Sequence, residues 1–546
     1  MGEVRILGPN GQPLAPTRPR PAALNGSGRV PYDAADTFSD QLANWQPALW
    51  SSDNEINIYR DRMVSRIRDL VRNDGWAAGS VTRILDNAIG ANFRPIFKPD
   101  YRALAIISGN KAFDATWADE YGRVLEAAWR TWANDTGRYC DVERKQTVSQ
   151  MIRLGFRHKL IDGDALAILQ YRRDRLGRGR ARYATAVQIV DPDRLSNPQQ
   201  QFDLPHTRGG VEIDEDGAPV AYWIRQAHMG DWWAAEKSLT WKKVQRETPW
   251  GRPVVIHDFD HERGAQHRGI GILAPIVQKM KMLIKYDHTE LEAAIINSIF
   301  GAYIQSPYDP AMAEDALGPG NDNELGRYQQ GRAEFHHDRR ISLQNGSRMV
   351  ALYPGEEIGT VNAARPNSNF KEFENAVLRN IAAATGQSAQ QISQDWSDVN
   401  YSSARAAMLE AYKTMSRRRS DYSMGFCQPI ATAFTEEVFD IGDLPLPAGA
   451  PDFLDARTEY CRANWMGPGR GWVDPVAEKK GAILGMDAGL STLEHEVAEN
   501  EGEDWEETLD QRKREVEAFK ERGLTPPSWA QVDTPAQKTI TDPETR

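Results

Sequence analysis

The chain has 546 residues, is 40% hydrophobic and 26% charged, and carries a net charge of -11 with a pI near 5.6. Such a length exceeds one hydrophobic core and implies about three or four packed units, while the acidity excludes a protein that grips nucleic acid all along its backbone. No apolar run approaches the roughly 20 residues that span a bilayer, and Cys140, Cys427 and Cys461 are too scattered for a disulfide scaffold or a cysteine zinc site.

Residues 1–50 are rich in Pro, Gly, Ala and Asn and read as a flexible arm. No apolar stretch of signal-peptide length follows Met1, and Ile6 stands where a myristoylation motif needs Ser or Thr. Met63, Ile67, Leu70 and Val71 share one helical face, a break is expected at Gly75, and Val81, Ile84, Leu85 and Ile89 form the next stripe. Two further helices are expected over about 112–133 and 145–160. The pattern then becomes strand-like over 165–171, 185–190, 219–224 and 254–259, with a basic turn at 172–180 and a turn at 214–217.

From Ile272 to Phe300 the period is helical again, through Ile276, Met280, Leu283, Ile284, Leu291, Ile295 and Ile299. Residues 305–335 read as loop and 341–360 as short strands. Phe373, Val377, Leu378 and Ile381 mark another helix, closed by Gly386; Ala404, Met408, Tyr412 and Met415 resume the stripe, which continues through Tyr422, Phe426, Ile430 and Phe434. Pro429 is expected to kink that helix. The last hundred residues open with Leu444-Pro445-Leu446-Pro447 and end in an acidic helix over about 492–522.

Between the two stripes lies a polar, aromatic-bearing join over 393–405, better suited to projecting into a cavity than to filling a core. The densest ligand-type cluster is His257, Asp258, Asp260, His261 and His267. It has the composition of a divalent-metal site for phosphodiester hydrolysis, but follows a strand into a turn rather than placing His-Glu-x-x-His on a helix. Asp162-Gly163-Asp164 and Asp191-Pro192-Asp193 read as turns before they read as acid–base pairs. Gly467–Gly471 lacks the Lys-Ser/Thr of a P-loop, Gly269-Ile270-Gly271 lacks a third glycine, and no Gly-x-Ser-x-Gly elbow occurs. Basic groups at Lys279, Lys281 and Lys285, at Arg417-Arg418-Arg419, and at Arg178, Arg180 and Arg182 read either as solvated or inter-subunit faces, or as phosphate contacts.

An ordered set of segments resembles the lambda-type family of tailed-phage portal proteins. It comprises Arg68-Asp69-Leu70-Val71-Arg72-Asn73-Asp74-Gly75, Gln188-Ile189-Val190-Asp191-Pro192-Asp193-Arg194-Leu195-Ser196-Asn197, Gly217-Ala218-Pro219-Val220-Ala221-Tyr222-Trp223, Val255-Ile256-His257, Arg268-Gly269-Ile270 and Leu273-Ala274-Pro275. Tyr353-Pro354-Gly355-Glu356 and Ser397-Asp398-Val399-Asn400-Tyr401-Ser402-Ser403-Ala404-Arg405 are its most specific parts, and Gly471-Trp472-Val473-Asp474-Pro475 and Asp504-Trp505 extend it.

The resemblance implies an α+β fold with portal architecture. The expected divisions are an arm (1–50), a wing (51–271), a first stem helix (272–300), a clip (301–366), a second stem helix (367–386), a tunnel loop (387–401), a kinked helix (402–439) and a crown with its tail (440–546). It implies a non-enzymatic homo-oligomeric ring, a dodecamer, at the unique capsid vertex of a virion assembled in the bacterial cytoplasm. Double-stranded DNA would pass through its channel during packaging and ejection. Its partners would be the terminase large subunit, which carries the ATPase, the major capsid and scaffold proteins, and head-tail adaptors, with no cofactor, metal or membrane. Gln391, Asp395, Trp396 and Asn400 are the loop residues expected to face DNA, and Lys279, Lys281 and Lys285 the stem candidates. Trp223, Trp232, Trp233, Trp241 and Trp250 would supply ring contacts or pack in the core. The competing readings are a metal-dependent nuclease or hydrolase built on the 257–267 cluster, and a low-order DNA-binding adaptor.

Overall fold

The computed structural model describes residues 33–35, 41–42, 44–298, 302–305, 330–335, 337, 357–360, 370–397, 400–469, 475–501 and 504–524. Most of the expected arm, most of the expected clip and the tail beyond 524 lie outside the described residues. So do the motif over 353–356 and loop residues Asp398 and Val399.

Helical spacing drives the first layer. In Arg60–Asn73, Val64, Ile67, Leu70 and Val71 are buried. The break falls at Asp74 rather than Gly75: Asp74 is extended, and its carboxylate accepts the Ala77 N–H at 2.7 Å, capping Gly75–Ala88. A cap of this kind contributes about 1 kcal/mol. Ala115–Ala133 is capped by Asp114, and Val148–Asp162 by a Thr147/Gln150 capping box. The second of these ends at Gly163, whose φ of +90° and close approach to Gly269 leave no room for a Cβ.

Asp164–Tyr171 follows and is the middle strand of a three-stranded antiparallel sheet, with Thr185–Ile189 on one side and Val255–Phe259 on the other. A four-stranded antiparallel meander, Thr207–Arg208, Val211–Ile213, Pro219–Arg225 and Trp241–Gln245, stands beside it. The meander closes a small core of its own around Leu166, Val190, Leu195, Val211, Tyr222, Ile224 and Val255.

The long helix Val277–Ser298 enters through a 3-10 turn, Ala274–Ile276. Leu273, Ile276 and Met280 bury into the main core together with Leu378, Ile381 and Ala382 of the helix Phe370–Thr385. Further along, the Tyr286 ring lies between Phe370 at 5.5 Å and Phe373 at 5.0 Å.

The expected kink is displaced from the proline. Tyr401–Tyr422 passes into a π-helical turn, Ser423–Cys427, before Gln428–Ile441 continues. Pro429, with no N–H and a ring that clashes with the preceding turn, sits at the start of the last segment, so the widened turn absorbs the misfit. Tyr422 and Phe426 stack at 5.0 Å, and Phe434 stacks on Trp132 at 4.6 Å.

Beyond Ile441 the chain returns to the main core. Leu444, Phe453, Ala456, Tyr460 and Cys461 are buried there, and Ala463–Met466 pairs antiparallel with Arg94–Phe97. The expected acidic helix over 492–522 is broken into Leu493–Glu496, a π-helical turn Val497–Glu501, and Trp505–Glu521 capped by Asp504. The fold is mixed helix and sheet, as the α+β expectation has it at that level.

Candidate functional site

The polar join between Phe370–Thr385 and Tyr401–Tyr422 is anchored on the helix Gly75–Ala88. Gly386 turns left-handed at φ +71° and ends the incoming helix. Gln387 then points inward and is buried: its Nε2 donates to the Ser80 carbonyl at 2.9 Å, and its Oε1 accepts from Ser80 Oγ at 2.8 Å. A capping box between Ser388 and Gln391 starts the short helix Ala389–Ser393, with Ile392 buried beneath it. One turn beyond Ser80, Arg83 donates Nη1 to the Ile392 carbonyl at 3.4 Å.

Gln394 takes φ +57°, unusual for a residue with a Cβ, and turns the chain outward. Asp395, Trp396 and Ser397 are exposed, Trp396 by 38%. Asn400 then caps Tyr401–Tyr422, its Oδ1 accepting the Ser403 N–H at 2.9 Å. The expected loop over 387–401 therefore carries a five-residue helix, and its outermost described part is short.

Three of the four expected loop residues shape the loop itself. Gln391 closes the capping box and Asn400 is the cap of the outgoing helix. Asp395 accepts the Ser397 N–H and hydroxyl, which hold its carboxyl below the usual range. Trp396 presents an exposed indole between them.

The arginine run in the outgoing helix is tied to other helix ends. Arg418 Nη1 donates to the Thr385 carbonyl at 2.9 Å. Arg419 donates to the Ala88, Asn87 and Pro468 carbonyls at 2.7, 3.0 and 3.1 Å. Arg417 pairs with Asp421 at 3.0 Å on the outside. Each of the two inner arginines neutralises the negative end of a different helix, so neither is available as a phosphate contact. Consecutive helical positions lie about 100° apart; that spacing in the sequence already forbids a shared surface for all three.

The three lysines expected on the stem do not share a face either. Lys279 Nζ donates to Asn380 Oδ1 at 3.2 Å across the two helices. Lys281 and Lys285, one turn apart, line a groove against Met63, Arg66, Asp69 and Met282.

The His257–His267 cluster is dispersed. His257 Nε2 faces the buried Asp164 at 3.2 Å, Lys159 takes Asp258 at 2.7 Å and Asp260 at 3.0 Å, His261 stacks on Phe259 at 4.2 Å, and His267 Nδ1 meets Asp53 at 2.8 Å. Alternation along Val255–Phe259 sends neighbouring side chains to opposite faces, so the ligand set of the nuclease reading is never assembled.

The aspartate pairs serve ion-pair hubs. Asp164 receives Arg60 and Arg268, each at 2.9 Å, and the Gly269 N–H at 2.7 Å. Burial alone would raise its pKa, but Arg268, Arg60 and His257 hold the carboxyl far below the usual range. Arg68 spans Asp162 at 2.7 Å, Asp193 at 2.7 Å and Asp191 at 3.0 Å. Among the described residues, the one group with metal-like convergence is Asp191, Asp193 and His228, and Arg68 already occupies both of its carboxylates.

The basic turn over 172–180 also turns partly inward: Arg175 is buried and donates to the Asp141 and Val142 carbonyls at 2.8 and 2.6 Å. Arg178 and Arg180 are exposed, and Arg182 pairs with Asp443 at 2.7 Å. Of the tryptophans expected in the wing, Trp223, Trp241 and Trp250 spend their indole N–H on Glu212, Ser196 and Glu436. Trp232 and Trp233 are 82% and 70% exposed.

Comparison with known proteins adds a family. Residues 38–419 match the family model described as phage portal protein, lambda family. The chain is 32% identical over 499 residues to the portal protein of Escherichia phage N15, covering 90% of this chain and 91% of that one. It is 31% identical over 500 residues to portal protein B of Escherichia phage lambda, covering 90% of each. Among solved structures, it aligns with a chain from the neck of a native GTA particle computed with C12 symmetry. That match has a TM-score of 0.39 and 16% identity, and covers 76% of this chain and 97% of that one.

Proposed function

We infer function from one premise: the chain belongs to the lambda family of phage portal proteins, and it is a portal protein of a tailed phage. The finer reading proposed on that premise is a closed dodecameric ring at the unique capsid vertex. DNA enters through its channel during packaging and leaves at ejection, and a terminase supplies the work of ATP hydrolysis. Capsid, scaffold and head-tail adaptor proteins dock around it, and assembly takes place in the bacterial cytoplasm.

The observation that carries the channel reading is the anchored loop. Its base is fixed by Gln387–Ser80 and Arg83–Ile392, while Trp396 stands outward between two capping elements. A rigid base with a short projecting tip suits a contact that touches a moving polymer without binding it tightly. A chain of net charge -11 favours sliding over capture, because each neutralised phosphate adds salt-sensitive affinity. Trp396 is the proposed DNA-side contact, with Gln391, Asp395 and Asn400 holding its loop. Lys279, exposed and steadied by Asn380, is the proposed stem cation on the channel wall.

In this reading, Val277–Ser298 and Phe370–Thr385 are the stem, 51–271 is the wing, 301–366 is the clip, and Tyr401–Ile441 is the kinked helix. Burial of Leu444, Tyr460 and Cys461 in the main core supports starting the crown beyond Met466. Native mass measurement with negative-stain imaging of the purified protein tests the ring. Twelve-fold particles with a central hole are expected, and a compact monomer under all conditions overturns it.

A further inference from the structure

Opposite edges of the stem carry opposite, unsatisfied charge. On one edge, Lys281 and Lys285 stand one turn apart beside Arg66 of the helix Arg60–Asn73. All three are exposed, and among the described residues none of them forms an ion pair. Between them the groove is lined by the apolar Met63, Leu70, Val277 and Met282, the last 61% exposed, and by Asp69, whose carboxylate accepts from Asn73 Nδ2 at 2.7 Å.

Asp287 lies two residues beyond Lys285, about 200° round the helix at 3.6 residues per turn. It faces Glu374 of the second stem helix and Asp74 at the end of Arg60–Asn73. Burial, and then Asp74, push the Asp287 carboxyl up; burial, and then Asp287, do the same to Glu374. Asp287 Oδ1 is buried without a hydrogen-bond partner. Beside these acids Phe373 is half-exposed, with one face on Tyr286.

We propose that this acidic edge, Asp287 and Glu374 with Phe373 between the stem helices, seats in the Arg66–Lys281–Lys285 groove of a second copy of the chain. The contact is heterologous: each copy offers its groove to one neighbour and its acidic edge to the other, the arrangement that closes into a ring. It pairs cations with carboxylates that form no ion pair among the described residues and covers the exposed Met282 with Phe373. It also removes Lys281 and Lys285 from the channel wall. The inference rests on the ring reading above and adds the surfaces by which the ring closes.

Charge exchange tests it. Lys281→Glu/Lys285→Glu sets acid against acid, and Asp287→Lys/Glu374→Lys sets base against base. Each double variant is expected to lower the ring fraction in native mass measurement by on the order of tenfold. Each is also expected to keep wild-type circular dichroism and unfolding temperature as a monomer. The quadruple variant, with both edges exchanged, is expected to regain rings. Double variants that form rings as wild type does, or a quadruple variant that stays monomeric while folded, overturn the interface. If the double variants assemble but lose only DNA packaging, the lysines face DNA and the proposal also fails. Wild-type protein that never forms rings removes the ring reading itself.

Discussion

Gln387 and Ser80, 307 positions apart in the chain, hold each other by two buried hydrogen bonds of 2.8 and 2.9 Å. Removing one partner leaves the other desolvated and unmatched, which costs about 1–3 kcal/mol. Gln387→Ala is therefore expected to lower stability by that amount in urea unfolding, and to expose the loop to limited proteolysis near Ser393. Gln387→Glu, which buries a charge at the same place, is expected to be worse. Unchanged unfolding midpoints in both variants would show that the anchor carries no stability.

Gly425 gives a second test with an unusual sign. In a helix, Gly→Ala ordinarily stabilises by about 1 kcal/mol. A Cβ built on Gly425 would lie 2.1 Å from Asp258 Oδ1, and Asp258 is the carboxylate that neutralises the buried Lys159 at 2.7 Å. Gly425→Ala must displace that carboxylate or widen the π-helical turn. Breaking a buried pair costs about 3–5 kcal/mol, so a large loss in thermal unfolding is expected, where a helix-propensity argument expects a gain.

These residues show what the sequence can carry. Val64, Ile67, Leu70 and Val71 keep a helical period because one face meets a core, and Ala165–Leu169 is a continuous apolar run because both faces are covered. Such patterns are local and can be read directly. The pairing of Arg94–Phe97 with Ala463–Met466, the Gln387–Ser80 anchor and the Arg419 contact with Ala88 join residues hundreds of positions apart. No local spacing encodes them. The ligand-rich run at 257–267 carries no metal geometry for a related reason: composition places acids and histidines near one another in sequence, but the alternation of a strand and the cations opposite decide where each points. The ordered portal-like segments were legible where they are hubs, as with Arg68, Asp191 and Asp193.

The titration of the buried acids sets a two-limbed pH profile. Burial, and then Asp504, push Glu126 up to about 7, and burial pushes Asp258 up to about 6 against Lys159. A carboxyl with a raised folded pKa binds its proton more readily when folded. Its stabilising contribution is full below its unfolded value and is lost as pH rises through the folded one. Asp164, Asp162 and Asp191 have lowered pKa values, so their contribution is present above the unfolded value of 3.8 and is lost as pH falls below it. Stability in urea is expected to rise as pH drops from 7 toward 5, and to fall steeply below about 4. Glu126→Gln is expected to flatten the upper limb and leave the acid limb in place. An upper limb unaltered by Glu126→Gln would exclude that residue as its source.

Trp396 separates a channel contact from a structural one. Its neighbours are committed: Gln391 and Asn400 to helix caps, Asp395 to Ser397, and Ile392 to the core. Removing the indole leaves each of those contacts in place, so Trp396→Ala is expected to fold, and to form rings, as the wild type does. An aromatic face at the tip of an anchored loop offers apolar contact to the groove or backbone of a passing duplex without adding a charge that would hold it. Loss of that face is therefore expected to reduce packaged DNA, or its retention under pressure, at unchanged ring yield. Trp396→Phe, which keeps an aromatic face, is expected to recover much of the loss. Full DNA content in Trp396→Ala particles would remove the residue from the channel reading. Failure of that variant to assemble would instead place the indole at a subunit contact.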